Sequence, residues 1–121
     1  AVYQRQRATE SDPKTVEYRS TCPVCRSLDL LGDKWTLLIM RDVLFFERKT
    51  FADFTNSSER IPTNLLSARL KKLVACGLLK RHQYHDKPAR YEYLPTAMGE
   101  KLRPVLDVIK QFGEENLKGG R

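Results

Sequence analysis

Two cysteines near the N-terminus have a spacing at which thiols can act together. Cys22 and Cys25 form a C-x-x-C pair, which is typical of a redox couple or of half a zinc site. Pro23 favours a helix that begins directly after Cys22, since proline suits the first helical turn. A helix N-terminus stabilises a thiolate, and the nearby cations of Arg19 and Arg26 act in the same direction. Cys22 is therefore a candidate reactive thiol, with a small buried core residue as the alternative.

The remaining thiol and imidazole groups do not complete a metal site. Cys76 stands alone, and we interpret it as a core or solvent-tolerated residue. His82 and His85 have only two residues between them and lie too far along the chain for a zinc-finger spacing. An odd number of cysteines indicates reduced thiols instead of a disulfide framework. We predict no metal and no cofactor.

The stretch from Ile61 to Arg81 carries a second chemical feature, a cationic helix face. Pro62 suits the first turn of this helix, and Gly77 suits the left-handed position just past its end. The predicted buried stripe consists of Leu66, Leu70, Leu73 and Val74. The opposite face is small, polar and cationic and consists of Asn64, Ser67, Ala68, Lys71 and Lys72. Such a face suits a helix that enters the major groove of DNA, and the solvated face of an ordinary helix is the alternative.

The positive charge of the chain is concentrated around this helix. In 121 residues, 22 Lys and Arg stand against 15 Asp and Glu, for a formal net charge of +7. Between Arg60 and Glu92, eight basic residues stand against two acidic ones. A localised basic patch favours a polyanionic partner, of which nucleic acid is the commonest and an anionic membrane the main rival. No apolar run approaches the ~18 residues that span a bilayer, so we predict no membrane partner.

Other functional classes find little support in the residues. The N-terminal residues lack the apolar segment of a signal peptide, so a cytoplasmic protein is expected. We find no glycine-rich phosphate loop, no paired carboxylates with a plausible pocket and no Ser-His-Asp arrangement. We therefore predict that the chain is not an enzyme.

The order of predicted elements defines a fold. Residues 1–21 are polar and predict a flexible arm, and residues 119–121 a loose end. Two helical patches follow the arm. The first carries Val24, Leu28 and Leu31, and the second has an apolar face of Trp35, Leu38, Ile39, Val43 and Phe46. Thr50 then caps a short helix with Asp53 in its first turn, and Phe51 and Phe54 are expected to bury one side of it.

The elements after the cationic helix complete the prediction. Leu78 to Tyr84 and Arg90 to Leu94 predict a β-hairpin with a charged tip. Thr96 caps a final helix that runs to about Lys118 and that Pro104 should kink. Its apolar stripe consists of Leu102, Val105, Leu106, Ile109 and Phe112. Helices, a helix-turn-helix, a hairpin and a C-terminal helix in this order predict an α+β, mainly α, winged helix-turn-helix domain over residues 22–118.

Within that order, the residues resemble the HxlR-type family of bacterial winged-helix regulators, relatives of the MarR group. No single motif carries the resemblance, but the ordered set is specific and spans about Cys22 to Leu117. The matching residues are Cys22-Pro23-Val24, Leu28, Leu31-Gly32, Lys34-Trp35-Thr36, Phe51-Ala52-Asp53-Phe54, Ile61-Pro62-Thr63-Asn64-Leu65-Leu66, Arg69-Leu70, Gly77-Leu78-Leu79, Arg90-Tyr91-Glu92-Tyr93, Thr96, Gly99 and Leu102. Pro95 departs from the pattern, which has an apolar residue before the threonine.

The resemblance implies a cytoplasmic regulator that binds double-stranded DNA as a homodimer, with the N-terminal and C-terminal helices forming the dimer contact. Some family members sense electrophiles or oxidants through a cysteine at the position of Cys22, so the resemblance makes Cys22 a redox-sensing candidate. It names no small-molecule effector.

These considerations assign DNA-binding roles by residue. Base edges would be contacted by Thr63, Asn64, Ser67 and Ala68, phosphates by Lys71 and Lys72, and the wing contact would be made by Lys87 and Arg90. Arg69 would contact phosphate or brace the fold through an intramolecular pair. The function expected is a sequence-specific transcriptional regulator on a pseudo-palindromic operator. The alternative is a winged-helix protein-interaction module that docks an acidic partner.

Overall fold

The computed structural model describes residues 16–117, which form a mainly helical domain with one small antiparallel sheet. This is the predicted winged helix-turn-helix order. The helices are α1 (Pro23–Leu31), α2 (Thr36–Phe45), α3 (Phe51–Thr55), α4 (Thr63–Ala75), α5 (Ala97–Glu100) and α6 (Leu102–Asn116), and the strands are β1 (Leu79–His85) and β2 (Arg90–Pro95). Most of the predicted arm, together with Lys118 and the predicted loose end, lies outside the described residues. Residues 16–21, the last of the arm, lie against α1 through Arg19 and Tyr18.

The core forms around the apolar stripe of α4. Leu66, Leu70 and Leu73 are fully buried, as predicted, and Val74 is partly buried against them. Other elements contribute Met40, Phe54, Leu78, Leu79 and Leu102 to the same cluster. Burial of one helix face on several neighbours fixes which face of α4 points outward.

The predicted core face of α2 was partly wrong. Ile39 and Val43 are buried, but Met40 and Leu44 accompany them, and Phe46 is 54% exposed. The helix ends at Phe45, so Phe46 no longer follows the helical period. Similarly, Phe54 of α3 is buried whereas Phe51, expected to pack beside it, is 39% exposed.

Caps set the helix boundaries near the site. Thr50 and Asp53 form the predicted capping box of α3, with the Asp53 backbone N–H donating to the Thr50 hydroxyl at 3.1 Å. α4 ends in a Schellman motif, in which Gly77 has a φ of +90°. The Leu78 N–H donates to the Leu73 carbonyl at 3.0 Å, and the Gly77 N–H donates to the Val74 carbonyl at 3.2 Å. The predicted glycine stop is thus confirmed.

The two strands form the predicted hairpin. They pair antiparallel from Leu79 opposite Pro95 to His85 opposite Arg90, with an irregularity between Gln83 and His85. Pro95 lies at the end of this ladder. The loop before α3 joins the sheet edge, because the Tyr93 N–H donates to the Lys49 carbonyl at 2.7 Å. The hairpin is therefore attached to the helix-turn-helix at its base.

The predicted final helix is divided in two. Thr96 caps α5 as expected, since its hydroxyl accepts the Gly99 N–H at 3.0 Å. The break falls at Lys101, and Pro104 lies in the first turn of α6. Proline has no N–H to donate to the carbonyl four residues earlier, so an unbroken helix through Glu100 would lose that bond. The predicted kink is thus a break one turn before the proline.

Candidate nucleic acid interface

The outward face of α4 presents the side chains predicted to meet DNA. Thr63, Asn64, Ser67, Ala68 and Lys71 are exposed, and Lys72 is partly exposed. An open concavity of about 480 Å³ runs along this face and is lined by Asn64, Ser67, Ala68, Lys71, Lys72 and Ala75. Short side chains in the middle of the face leave room for another surface to approach the helix. The lysines at one end place positive charge beside that space.

Arg69 makes the intramolecular pair that one of its two predicted roles requires. Its Nε donates to Oδ1 of Asp33 at 3.1 Å, across 36 residues of sequence. The same Asp33 oxygen accepts the backbone N–H groups of Trp35 at 2.9 Å and Thr36 at 3.0 Å. Asp33 therefore both begins α2 and holds α4 in place.

The surroundings of Asp33 favour its carboxylate form. Partial burial acts to raise its pKa, but hydrogen bonds from the Thr36 hydroxyl, the Trp35 N–H and the Arg69 guanidinium outweigh burial. The pKa of Asp33 is lowered to about 2. The Asp33 to Arg69 pair is consequently charged throughout the neutral range.

A second ion pair fixes the turn that leads into α4. Arg41 of α2 binds both carboxylate oxygens of Glu59, at 3.1 Å and 2.8 Å, and also contacts Asp42 at 2.9 Å. Ser57 donates to Glu59 at 2.8 Å from within the same turn. The hydrogen bonds from Arg41 lower the pKa of Glu59 to about 2. Sequence reasoning missed this clamp, since its partners are separated by 18 residues.

The hairpin carries further exposed cations. Lys87 and Arg90 are exposed, as are all residues from Lys80 to Arg90. The Arg81 guanidinium lies 4.1 Å from the ring centroid of Tyr91, which stiffens the hairpin. Charged groups at its base are partly neutralised, because Glu92 lies 3.0 Å from His82 and 3.9 Å from Lys49.

The cysteines are reduced and partly buried. Cys22 is the N-cap of α1 and Pro23 follows in its first turn, as predicted. The two nearby arginines also contact other groups. Arg19 pairs with Asp29, and the Arg26 guanidinium lies 4.1 Å from the ring centroid of Tyr18 and donates to the Ser20 carbonyl.

Residues 16–117 contain neither a metal-binding cluster nor a membrane-spanning helix. No group of three or more His, Cys, Asp or Glu side chains there is placed to hold a metal ion. In the same range no helix is long and apolar enough to cross a membrane.

Cys76 caps the C-terminus of α4, where its thiol donates to the Leu73 carbonyl at 3.6 Å.

Comparison with known proteins places this fold among transcription regulators. A family model described as HxlR-like helix-turn-helix matches residues 30–120. The HTH-type transcriptional regulator Mb3122 of Mycobacterium bovis is 40% identical over 94 residues, which are 78% of this chain and 58% of that protein. The chain thus spans less than two thirds of the length of that relative. YybR of Bacillus subtilis, named as an HTH-type transcriptional regulator, is 33% identical over 99 residues, covering 78% of this chain and 75% of that protein.

Two solved structures of another protein, the redox regulator HypR, share the fold. The redox regulator HypR in its reduced form superposes with a TM-score of 0.72 at 31% identity, covering 80% of this chain and 95% of that chain. The oxidised form of HypR superposes with a TM-score of 0.70, covering 78% of this chain and 97% of that chain at 33% identity.

Proposed function

The chain belongs to the HxlR-like helix-turn-helix family, and from that premise we propose that it regulates transcription by binding a pseudo-palindromic operator in double-stranded DNA as a homodimer. The observation that carries the proposal is the outward face of α4. That face is polar and cationic, and two ion pairs hold its helix to the rest of the domain. A rigid helix with short polar side chains at its start is the usual reader of major-groove base edges.

The roles of individual residues follow from their positions on α4 and the hairpin. Thr63, Asn64, Ser67 and Ala68 would contact base edges. Lys71 and Lys72, on the same exposed side, would neutralise phosphates. Lys87 and Arg90 at the exposed tip of the hairpin would contact the neighbouring groove or backbone. We assign Arg69 the bracing role because its Nε is paired with Asp33, and a phosphate contact by the rest of its guanidinium stays a prediction.

The homodimer is supported by the two terminal helices. α1 has no buried residue, and its Val24 and Leu28 are 67% and 55% exposed. On α6, Ile109 and Phe112 are 48% and 59% exposed. Apolar stripes of this extent on both ends of one small domain favour burial against a second copy. Two-fold symmetry would then present two α4 helices to two half-sites.

Selection of bound sequences from a random pool of duplex DNA tests this function. We expect enrichment of a motif with two-fold symmetry and half-sites about one helical turn apart, roughly 34–36 Å. Binding that leaves the pool unenriched would contradict sequence-specific recognition and would favour the protein-interaction alternative.

We also propose that Cys22 senses oxidants or electrophiles. Its support is the position of this thiol at the N-terminus of α1, on a helix that the dimer would use, and the similarity to the redox regulator HypR. Mass spectrometry after mild oxidant, paired with DNA affinity, tests the role. Unchanged affinity of a fully modified protein would remove it.

A further inference from the structure

Cys22 and Cys25 lie on one helical turn. Cys22 is the N-cap of α1 and Cys25 is its third residue. The Arg26 N–H donates to the Cys22 carbonyl at 2.8 Å, so this turn is closed with helical geometry. Residues three apart on an α-helix have Cα atoms about 5 Å apart, which lies within the range of about 4.4–6.8 Å that a disulfide bridges.

Cys22 and Cys25 combine partial exposure in the single chain with neighbouring positions at the start of α1. Cys22 and Cys25 are each partly exposed, whereas Cys76 caps α4, an element separate from α1. The Cys25 thiol donates weakly to Oδ2 of Asp29, with a sulfur to oxygen distance of 3.9 Å. This hydrogen bond is much weaker than the covalent bond of a disulfide, so it would not prevent Cys25 from forming one.

Asp29 connects the Cys25 thiol with the segment before α1. Its Oδ2 accepts the Arg19 backbone N–H at 2.8 Å, and its Oδ1 accepts the Arg19 guanidinium. The Cys25 thiol is therefore a third donor to the carboxylate that holds residues 16–21 against α1. Val24, one of the exposed apolar residues of α1, lies between the two cysteines.

We propose that Cys25 is the resolving thiol for Cys22, so that oxidation closes an intrachain Cys22 to Cys25 disulfide. The inference deepens the proposed sensing role of Cys22 and rests on it. It makes the redox switch a device internal to each α1, independent of any cysteine on the second copy. Closing the bond also removes the hydrogen that Cys25 donates to Asp29, beside the proposed dimer surface.

The chemistry balances with an organic hydroperoxide as oxidant. The Cys22 thiolate attacks the terminal oxygen, the O–O bond breaks, and the alkoxide takes up a proton to leave as alcohol, giving Cys22 sulfenic acid. The sulfur of Cys25 then attacks the Cys22 sulfur and forms the S–S bond. The S–O bond breaks, and hydroxide leaves as water with the proton from Cys25. Two thiols have lost two electrons to the hydroperoxide, which becomes alcohol and water.

The sequence offers a direct assay of this connectivity. Trypsin cleaves after Arg19 and after Arg26. The peptide that it releases, residues 20–26, contains Cys22 and Cys25 but not Cys76. The full chain is treated with cumene hydroperoxide, its remaining thiols are alkylated, and the digest is analysed without reduction. We expect this peptide unalkylated and about 2 Da lighter than its dithiol form, the mass of two hydrogens. The same peptide joined to a second peptide would overturn the proposal.

Matched variants separate the resolving role from sensing itself. Cys25→Ser should stop at Cys22 sulfenic acid, which dimedone traps, whereas Cys76→Ser should behave as the wild type does. If Cys25→Ser forms no more dimedone adduct than the wild type, the resolving role is wrong. If oxidation of Cys22 still alters DNA affinity in Cys25→Ser, Cys22 acts as a sensor that needs no resolving thiol. A Cys22 thiol that resists oxidation in every variant overturns both the sensing role of Cys22 and the resolving role of Cys25.

Discussion

Asp33 is the residue on which the orientation of α4 most depends. It accepts two backbone N–H groups at the start of α2, the Thr36 hydroxyl and the Arg69 guanidinium. Asp33 lies between α1 and α2, and its carboxylate connects that segment with the start of α2 and with α4. Because its pKa is about 2 in the folded chain and 3.8 ordinarily, ionisation of Asp33 is coupled to folding.

We expect Asp33→Asn to lower the free energy of unfolding at pH 7 by about 1–2 kcal/mol, since asparagine retains part of the cap but not the ion pair. Because the pKa of Asp33 is lower in the folded state, its ionisation stabilises the fold at pH values above 3.8. That stabilisation is lost as the pH falls from 3.8 towards 2. The difference between the two proteins should therefore shrink between pH 4 and pH 2. Urea unfolding at several pH values measures it.

The exposed carboxylate Asp86 at the hairpin tip provides the control. Asp86→Asn should unfold as the wild type does over the same pH range. A difference between wild type and Asp33→Asn that stays constant down to pH 2 would contradict the coupling.

At the scale of elements, the end of α4 depends on the backbone of Gly77. A Cβ added there would meet no atom within 4 Å, so its cost comes from the φ of +90° and not from crowding. We expect Gly77→Ala to destabilise the domain by about 1–2 kcal/mol. In α6, Gly113 also has no atom within 4 Å of an added Cβ, but it lies within the last helical turn and its φ is not in the left-handed region.

Gly113→Ala should therefore act in the opposite direction, stabilising by about 0.5–1 kcal/mol through helix propensity. Thermal or urea unfolding of the two variants makes a matched pair. Equal effects of one sign would show that the left-handed end of α4 does not control its stability.

Most elements could be predicted because their signals are local. The capping box at Thr50, the glycine at 77 and the turn signal between the hairpin strands each act over a few residues. The core face of α2 was harder, because every residue from Leu37 to Met40 is apolar and periodicity cannot choose among them. Packing against the Leu66 and Leu70 cluster selects Met40 and leaves Phe46 outside.

The support of the candidate site was not predictable in the same way. Arg69 to Asp33 and Arg41 to Glu59 join residues 36 and 18 positions apart. No local pattern reports such pairs, because they form only after α1, α2 and α4 have packed. Sequence could therefore indicate which face of α4 is polar and offer Arg69 as a brace, but it could name neither the partner of Arg69 nor the pair of Arg41 with Glu59.

For the whole molecule, the exposed stripe of α6 predicts how assembly responds to substitution. We expect Phe112→Asp to weaken the proposed dimer at least about 100-fold, as loss of a central interface aromatic does. Its helix content should be unchanged, since Phe112 is exposed in the single chain. Sedimentation and circular dichroism measure these two quantities.

Gln111→Asp adds the same charge one position earlier, about 100° around the axis of α6 from Phe112, and is the control. It should sediment as the wild type does. A dimer that survives Phe112→Asp but dissociates with Gln111→Asp would place the interface on the other face of the helix.

Recognition of DNA by the outward face of α4 is the central claim, and base-pair discrimination tests it most directly. Affinities of wild type, Asn64→Ala and Lys71→Ala are measured against single-base-pair variants of the selected operator. Asn64→Ala should lose about 1–3 kcal/mol of discrimination at one or two base pairs in each half-site. Lys71→Ala should weaken all duplexes alike and reduce the slope against salt by about one. If Asn64→Ala discriminates among the duplexes as the wild type does, this face of α4 does not read the sequence.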